Sequence, residues 1–371
     1  MGVGPRRYRM PDLYLASTPL TALLAAGIAR AESPGSGLVL IEDYDDAARW
    51  KALLSNWRDT PFARVELVPG RASEARAARA SDLRGLKQRF ERERVKRSLR
   101  AQAFARVRAL DLTLLPERVL VGNDRRPETQ YALHLAAGRR ARPGVYLDDG
   151  LFTYLGDAHQ RPWARRVDQF LKRRLYGPWW ESLAQVGTSR FIDEARLAYP
   201  PLAVDVEPSR ARRPLDPMMF AQRALARLAR DAWHEFAPEC GRLRYDALVL
   251  LPHTRLFRNA TAPGDRLRAL LLRLGAQRDV AVKYHPREVE PDPLSLDGAG
   301  ARLLPHGLPA ELAFTRLRRG SVVLGEASTA LLAARWLRPD LRVMDLGIAQ
   351  APFARLAQGF LAARGVSPAP F

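Results

Sequence analysis

Short apolar runs alternate along the chain with longer stretches whose apolar residues recur at helical spacing. That rhythm predicts parallel strands flanked by helices, an α/β chain. In the first half the strand-like runs are residues 13–16, 37–42, 64–68, 118–122 and 144–147. A charged helical stretch over 72–110 separates the third run from the fourth. In the second half, strands are expected at 247–251, 280–284, 302–304, 321–324 and 341–345. Helices at 218–235, 264–274 and 328–337 fill the gaps, and the tail over 350–364 reads as one more helix.

The punctuation suggests two domains. Pro200, Pro201, Pro208 and Pro214 crowd residues 200–216 together with several arginines, as a hinge would. The expected division is a first domain over 1–205, a second over 206–349, and a tail over 350–371 that packs back on the first. No internal repeat is visible. At the N-terminus, Arg6, Arg7 and Arg9 precede an apolar run over 13–29, and Ala29-Arg30-Ala31 imitates a signal-peptidase site. The favoured reading is a strand, a turn at Pro19 and a helix, because Ser17, Thr18, Pro19 and Thr21 interrupt the run. No stretch reaches the roughly 18–20 apolar residues of a membrane span.

Composition narrows the class more than the function. The chain has 371 residues, 47% apolar and 27% charged, enough for two sizeable cores. Its formal net charge of +20 suits an anionic partner such as nucleic acid, an acidic glycan or a membrane surface. The excess of Arg beside abundant Ala equally suits the codon bias of a GC-rich genome, so charge alone does not choose. No helix-turn-helix, zinc-finger or RNA-recognition signature supports a nucleic-acid-binding protein, which stands as the alternative of a different class. Cys240 is the single cysteine, which rules out an intramolecular disulfide and fits a reducing, cytoplasmic setting.

Three polar motifs follow apolar strands at the same topological point, where open parallel sheets bind ligands. Asp148-Asp149-Gly150 follows the run at 144–147. Adjacent side chains at a strand end point to opposite sides, so one carboxylate faces a ligand and the other caps the turn. Burial beside a second negative charge raises proton affinity, as a general base requires; an Asx-type turn without chemistry gives the same pattern. Lys283-Tyr284-His285-Pro286 places a cation and an imidazole two residues apart, on one strand face. That pair could hold a phosphate, or His285 could be an ordinary loop residue. Ser328 and Thr329 open a helical run, where hydroxyls and unpaired N–H groups form an anion site or a simple N-cap. Glu311, at another helix start, could bind a ribose diol or complement the helix dipole.

Together these residues resemble the bacterial sialyltransferases, especially the α-2,8-polysialyltransferase-like group. Those families share a D/E-D/E-G motif, an HP motif and a paired S-S/T motif, here Asp148-Asp149-Gly150, His285-Pro286 and Ser328-Thr329. The opening Ala16-Ser17-Thr18-Pro19-Leu20 is also similar to the family's first strand and turn, and the resemblance spans residues 12–350. It implies a GT-B architecture, two Rossmann-like domains facing each other across a cleft. It further implies metal-independent, inverting transfer of sialic acid from CMP-sialic acid, without a cofactor. By this resemblance Asp148 deprotonates the acceptor hydroxyl, and His285 stabilises or protonates the departing phosphate. Lys283 and Pro286 belong to the donor half, Ser328 and Thr329 hold the phosphate, and Glu311 holds the ribose. Asp149, Gly150, Ser17 and Thr18 support the site. Kdo, another nonulosonic acid, or a CDP-activated donor would satisfy similar contacts. The Ser-Thr pair departs from the common Ser-Ser but keeps the hydroxyl chemistry.

No Asp-x-Asp motif marks a metal site, since Asp292 and Asp297 are scattered, and there is no Cys/His cluster for zinc. Two basic segments remain, at 84–108 and 161–180. The second carries Arg161, Arg165, Arg166, Lys172, Arg173 and Arg174 among Trp163, Phe170, Tyr176, Trp179 and Trp180. It suits an anionic glycan or glycolipid acceptor of the lipooligosaccharide or capsule type, or peripheral contact with the cytoplasmic face of the inner membrane. A solvated helix face over core aromatics is equally consistent.

Overall fold

The structure, a computed structural model, describes residues 11–79, 85–139, 144–156, 162–203, 210–241, 243–254, 262–288, 290–348 and 352–369. The chain divides into two compact units, Met1–Met219 and Phe220–Phe371.

The first unit is built on seven parallel strands in the order β3-β2-β1-β4-β5-β6-β7. They are β1 (Leu13–Ala16), β2 (Ser36–Glu42), β3 (Phe62–Pro69), β4 (Val119–Val121), β5 (Gly144–Leu147), β6 (Ile192–Leu197) and β7 (Ala211–Pro214). The helices around them are α1 (Pro19–Glu32), α2 (Ala47–Asn56), α3 (Arg71–Arg79), α4 (Gly85–Leu114), α5 (Pro127–Ala137), α6 (Leu151–Leu155) and α7 (Pro162–Tyr176). Central strands β1, β4 and β5 are buried at every residue. Both faces of the sheet are covered, which is why these strands read as unbroken apolar runs.

The N-terminal run builds the middle of this unit. Thr18 caps α1 reciprocally with Thr21, Pro19 occupies the first turn, and Thr21 through Ala29 are all buried. The strand-turn-helix reading of residues 13–29 therefore describes the folded chain. The charged stretch over 72–110 resolves into α3 and α4, with 80–84 outside the described residues. On α4, Ala103, Val107 and Leu110 are buried at helical spacing. From residue 90 onward that basic segment is a solvated face over a core stripe.

The expected hinge is a different object. Pro200–Leu202 form a short 3-10 turn, and Ala211–Pro214 are β7, paired in parallel with β6. Pro208 lies outside the described residues. The first unit thus runs to Met219, past the boundary expected between residues 205 and 206. The sequence pattern hides β6 because its charges are paired: Arg196 meets Glu194 at 2.8 Å and Glu32 at 2.6 Å.

The second unit has six parallel strands in the order β10-β9-β8-β11-β12-β13. They are β8 (Tyr245–Leu250), β9 (Val280–Lys283), β10 (Arg302–Leu304), β11 (Leu317–Gly325), β12 (Arg342–Asp345) and β13 (Ser367–Pro368). Its helices are α8 (Arg223–Phe236), α9 (Ala262–Gly275), α10 (Ala310–Ala313), α11 (Thr329–Leu337) and α12 (Pro352–Ala362). The tail, expected to pack back on the first domain, belongs to this unit. After α12 the chain turns and pairs β13 with β12, burying Ala357, Leu361 and Val366. Cys240 is buried, and burial raises its thiol pKa, as suits a core residue.

Gly144 begins β5 where a Cβ would lie 2.2 Å from the Phe191 carbonyl oxygen. Gly144→Ala should therefore cost about 2 kcal/mol or more, seen as a lowered urea midpoint. Because β5 carries Asp148 and Asp149, the acidic site should be lost in parallel.

Candidate active site

In each unit the motif residues stand where strands of the parallel sheet end at their carboxyl edge. In the first unit, Ser17 and Thr18 follow β1, Asn123 and Asp124 follow β4, and Asp148 and Asp149 follow β5. β1 and β4 are adjacent although β2 and β3 intervene in sequence, so the strand order reverses there. Crevices at such reversals are where doubly wound sheets bind ligands.

The two adjacent carboxylates have separate fates. Asp148 is buried, and both of its oxygens are occupied. Oδ1 accepts from the Gly150 amide at 2.8 Å and from the Thr153 hydroxyl at 3.3 Å. Oδ2 accepts from the Ala198 amide at 2.8 Å and from the Tyr154 hydroxyl. Burial raises its pKa, and these four donors oppose the rise. Gly150, at φ +87°, takes the left-handed backbone that the turn into α6 requires.

Asp149 is only partly exposed and accepts a hydrogen bond from Asn123 Nδ2 at 3.2 Å. Its pKa is pushed up to about 8, first by burial, then by the neighbouring Asp148 carboxylate and by Asp124 and Asp43. Asp149 is thus the carboxyl with capacity left for a proton, while Asp148 ties the loop together. The sequence reading expects Asp148 as the base; its four hydrogen bonds and the raised pKa of Asp149 make Asp149 the carboxylate favoured in the proposal below. Asp124 plays a similar fixing role, accepting from the Gly187 and Ser189 amides at 2.8 and 2.9 Å. Burial raises Asp124 to about 6. Ser17 is buried, and Thr18 is spent on the α1 cap, accepting from Thr21 N at 3.2 Å.

In the second unit, His285 follows β9 and is half-buried. Its Nδ1 accepts from the Arg287 amide at 3.1 Å, so the neutral ring carries its proton on Nε2. Burial, followed by Arg287, His253 and Lys283, lowers its pKa to about 4. The free protein therefore presents a neutral N–H donor there. Pro286 is exposed in a turn closed by the Glu288 amide donating to the His285 carbonyl at 3.0 Å.

Lys283, the last residue of β9, is buried. Its ammonium donates to the carbonyls of Tyr284 at 3.2 Å and His306 at 3.1 Å. Its charge is also felt at Glu311, a half-buried residue in the first turn of α10 whose pKa is raised chiefly by burial. Ser328 caps α11, its hydroxyl accepting from Leu331 N at 3.4 Å, and Thr329 is the first helical residue. Asp292 is engaged elsewhere, accepting from the Tyr284 hydroxyl at 2.5 Å and from the Leu296 amide at 2.8 Å. Among the described residues, no three His, Cys, Asp or Glu side chains are grouped to hold a metal ion.

Three residues escaped the sequence reading. Asn123 is one. The other two are His253, after β8, and Glu288. The His253 ring stacks on His285 with centroids 5.7 Å apart, and its Nδ1 lies 2.9 Å from Glu288 Oε1. The same carboxylate accepts from the Thr254 amide. Pro252-His253, at the end of an apolar run, repeats the placement of His285-Pro286 in reverse order; that was the available signal.

No known family model matches the chain, and no curated protein sequence matches it. Solved structures do. TcCGT1 in complex with UDP aligns with a TM-score of 0.52 and 12% identity, over 98% of this chain and 86% of its own. Arabidopsis thaliana UGT89C1 complexed with UDP-L-rhamnose aligns with a TM-score of 0.51 and 9% identity, over 97% and 85%. At such identity the likeness is one of fold. The chain has the α/β GT-B fold, with two Rossmann-like domains.

The two carboxylates should separate on substitution. Asp148→Ala leaves the buried amides of Gly150 and Ala198 and two hydroxyls without their acceptor, and should cost about 3 kcal/mol or more. Asp149→Asn should instead keep the fold. Far-UV circular dichroism melts of the two variants check this; equal melting temperatures would contradict the division of roles.

Proposed function

We propose that the protein is a metal-independent, inverting glycosyltransferase that moves sialic acid from CMP-sialic acid to a cell-surface glycan. The observation that carries this reading is the placement of all three motifs, Asp148-Asp149-Gly150, His285-Pro286 and Ser328-Thr329, at the carboxyl ends of strands in a GT-B fold. The UDP of TcCGT1 and the UDP-L-rhamnose of UGT89C1 support a nucleotide-activated donor. The narrower assignment to a CMP-linked sugar acid rests on the motif set.

On this reading Asp149 is the general base. It takes the proton of the acceptor hydroxyl as that oxygen attacks the anomeric carbon from the face opposite the leaving group. The bond from that carbon to the phosphate oxygen breaks, and CMP departs with the electron pair. His285 donates from Nε2 to the departing phosphate. Its depressed pKa makes it a neutral hydrogen-bond donor in the free protein, and an adjacent phosphate raises that pKa again. The hydroxyls of Ser328 and Thr329, with the N-terminal amides of α11, supply further donors. Glu311 binds the ribose, while Lys283 holds the loop and adds positive charge. His253, fixed by Glu288, sets the plane of the His285 ring.

The direct test incubates the protein with CMP-sialic acid, CMP-Kdo, CDP-glycerol and UDP-sugars and measures nucleotide release. CMP-sialic acid should be the donor consumed, and His285→Ala should slow release by roughly 100-fold. Turnover of UDP-sugars alone would reject the CMP assignment.

The pH dependence has a fixed sign. Asp149 must be ionised to accept a proton, so kcat/KM should rise with pH through about 8. The folded pKa lies above the ordinary 3.8, so the native state binds this proton more tightly than the unfolded chain. Stability from this group is full below 3.8 and is lost as pH rises towards 8. Asp149→Asn removes that loss and should raise the melting temperature at pH 9 by at least about 2 °C while abolishing transfer.

A further inference from the structure

Helix α7 (Pro162–Tyr176) presents its apolar side outward. Trp163, Val167, Phe170, Leu171 and Leu175 are 63%, 51%, 59%, 59% and 48% exposed. At about 100° per residue they fall within an arc of about 140°, an apolar stripe in which Arg174 is the one charged position. The opposite side is the one attached to the protein, through polar groups and one aromatic residue, Tyr176. Gln169 donates to the Trp180 carbonyl at 3.0 Å and Arg173 to the same oxygen at 3.1 Å. Asp168 accepts from the Ser182 hydroxyl. Lys172 pairs with Asp168 at 2.8 Å and lies 5.0 Å over the Trp180 ring. Tyr176 packs against Trp179 and Trp180. A surface helix normally buries its apolar stripe and solvates the polar face; α7 does the reverse.

We propose that α7 is a membrane-binding element that lies in the plane of a bilayer bearing anionic phospholipid headgroups, with the stripe inserted. Charge supports this occupant. Between Pro162 and Tyr176 stand five cations, Arg165, Arg166, Lys172, Arg173 and Arg174, against one acid, Asp168. Arg166 and Arg174 are exposed, and Arg174, which falls within the arc of the stripe, sets its guanidinium 5.0 Å over the Phe170 ring. Insertion to headgroup depth would bury the apolar chains and set those cations among lipid phosphates. A second copy of the chain on the same face would bring like charges together. α7 follows Asp149 by only thirteen positions (162 − 149), and Phe152 between them is 46% exposed. The proposal does not depend on the identity of the donor.

The test is co-sedimentation of the whole protein with vesicles of phosphatidylcholine, pure or with about one-quarter phosphatidylglycerol. Wild type should pellet with the anionic vesicles and retain part of that binding in high salt. Phe170→Ser/Leu171→Ser should bind roughly tenfold more weakly or worse, with an unchanged melting temperature because both chains are exposed. Arg166→Gln/Arg174→Gln should lose the preference for anionic over neutral vesicles. Three results would overturn the proposal. One is equal recovery of wild type with and without vesicles. Another is full binding by the serine variant, which would reduce the effect to the overall charge of +20. The third is a dimer that the serine variant disrupts, with no vesicle binding by wild type.

Discussion

A carboxylate withdrawn from water must find donors, and Asp148 finds four. Two are backbone amides on either side of the strand end, from Gly150 and Ala198, and two are hydroxyls of α6, from Thr153 and Tyr154. One side chain therefore joins the end of β5, the start of α6 and the chain leaving β6. An unpaired charge in that position would cost far more than the hydrogen bonds contribute, so the geometry of the junction is compulsory. The turn it enforces leaves Asp149 facing Asn123, beside three other acids. The reactivity assigned to Asp149 is thus a by-product of the rigidity assigned to its neighbour.

The second unit solves a similar problem with different groups. Here the loops after β8 and β9 are fastened by Glu288, which engages His253 and the Thr254 amide, and by the Lys283 ammonium on two carbonyls. His306 adds ring contacts to the carbonyls of Glu288 at 3.1 Å and Pro291 at 3.2 Å. His285 is held among these groups and kept uncharged by burial and nearby cations. Such a ring can respond to an arriving phosphate without giving up a proton beforehand.

The apolar runs of the central strands were legible because both faces of each sheet are covered, so β1, β5 and β9 carry no polar interruption before their ends. The elements that escaped are those whose stability comes from partners distant in sequence. β6 reads as a charged segment until Arg196 is seen to meet Glu32, 164 positions away. β7 looks like a hinge because Pro214 and two arginines suit an edge strand as well as a linker. Asp148 and Asp149 were legible as a pair, but their division of labour was not: it depends on Ala198 and Asn123, which no local pattern connects to them. His253 was hidden for the same reason, since its relation to His285 arises only from the adjacency of β8 and β9 in the sheet.

The outermost strands β7 and β13 share a trait. β7 is Ala-Arg-Arg-Pro and β13 is Ser-Pro, both short, and each ends in a proline. A sheet margin with free amides and carbonyls is a template for another chain, and proline, brevity and charge all blunt it. In the second unit that protection is supplied by residues near the very end of the described chain, which cover β12. Handling of the C-terminus therefore has a colloidal side: trimming the tail would remove β13, uncover β12 and invite sheet-to-sheet association between molecules, even with β8 to β12 intact.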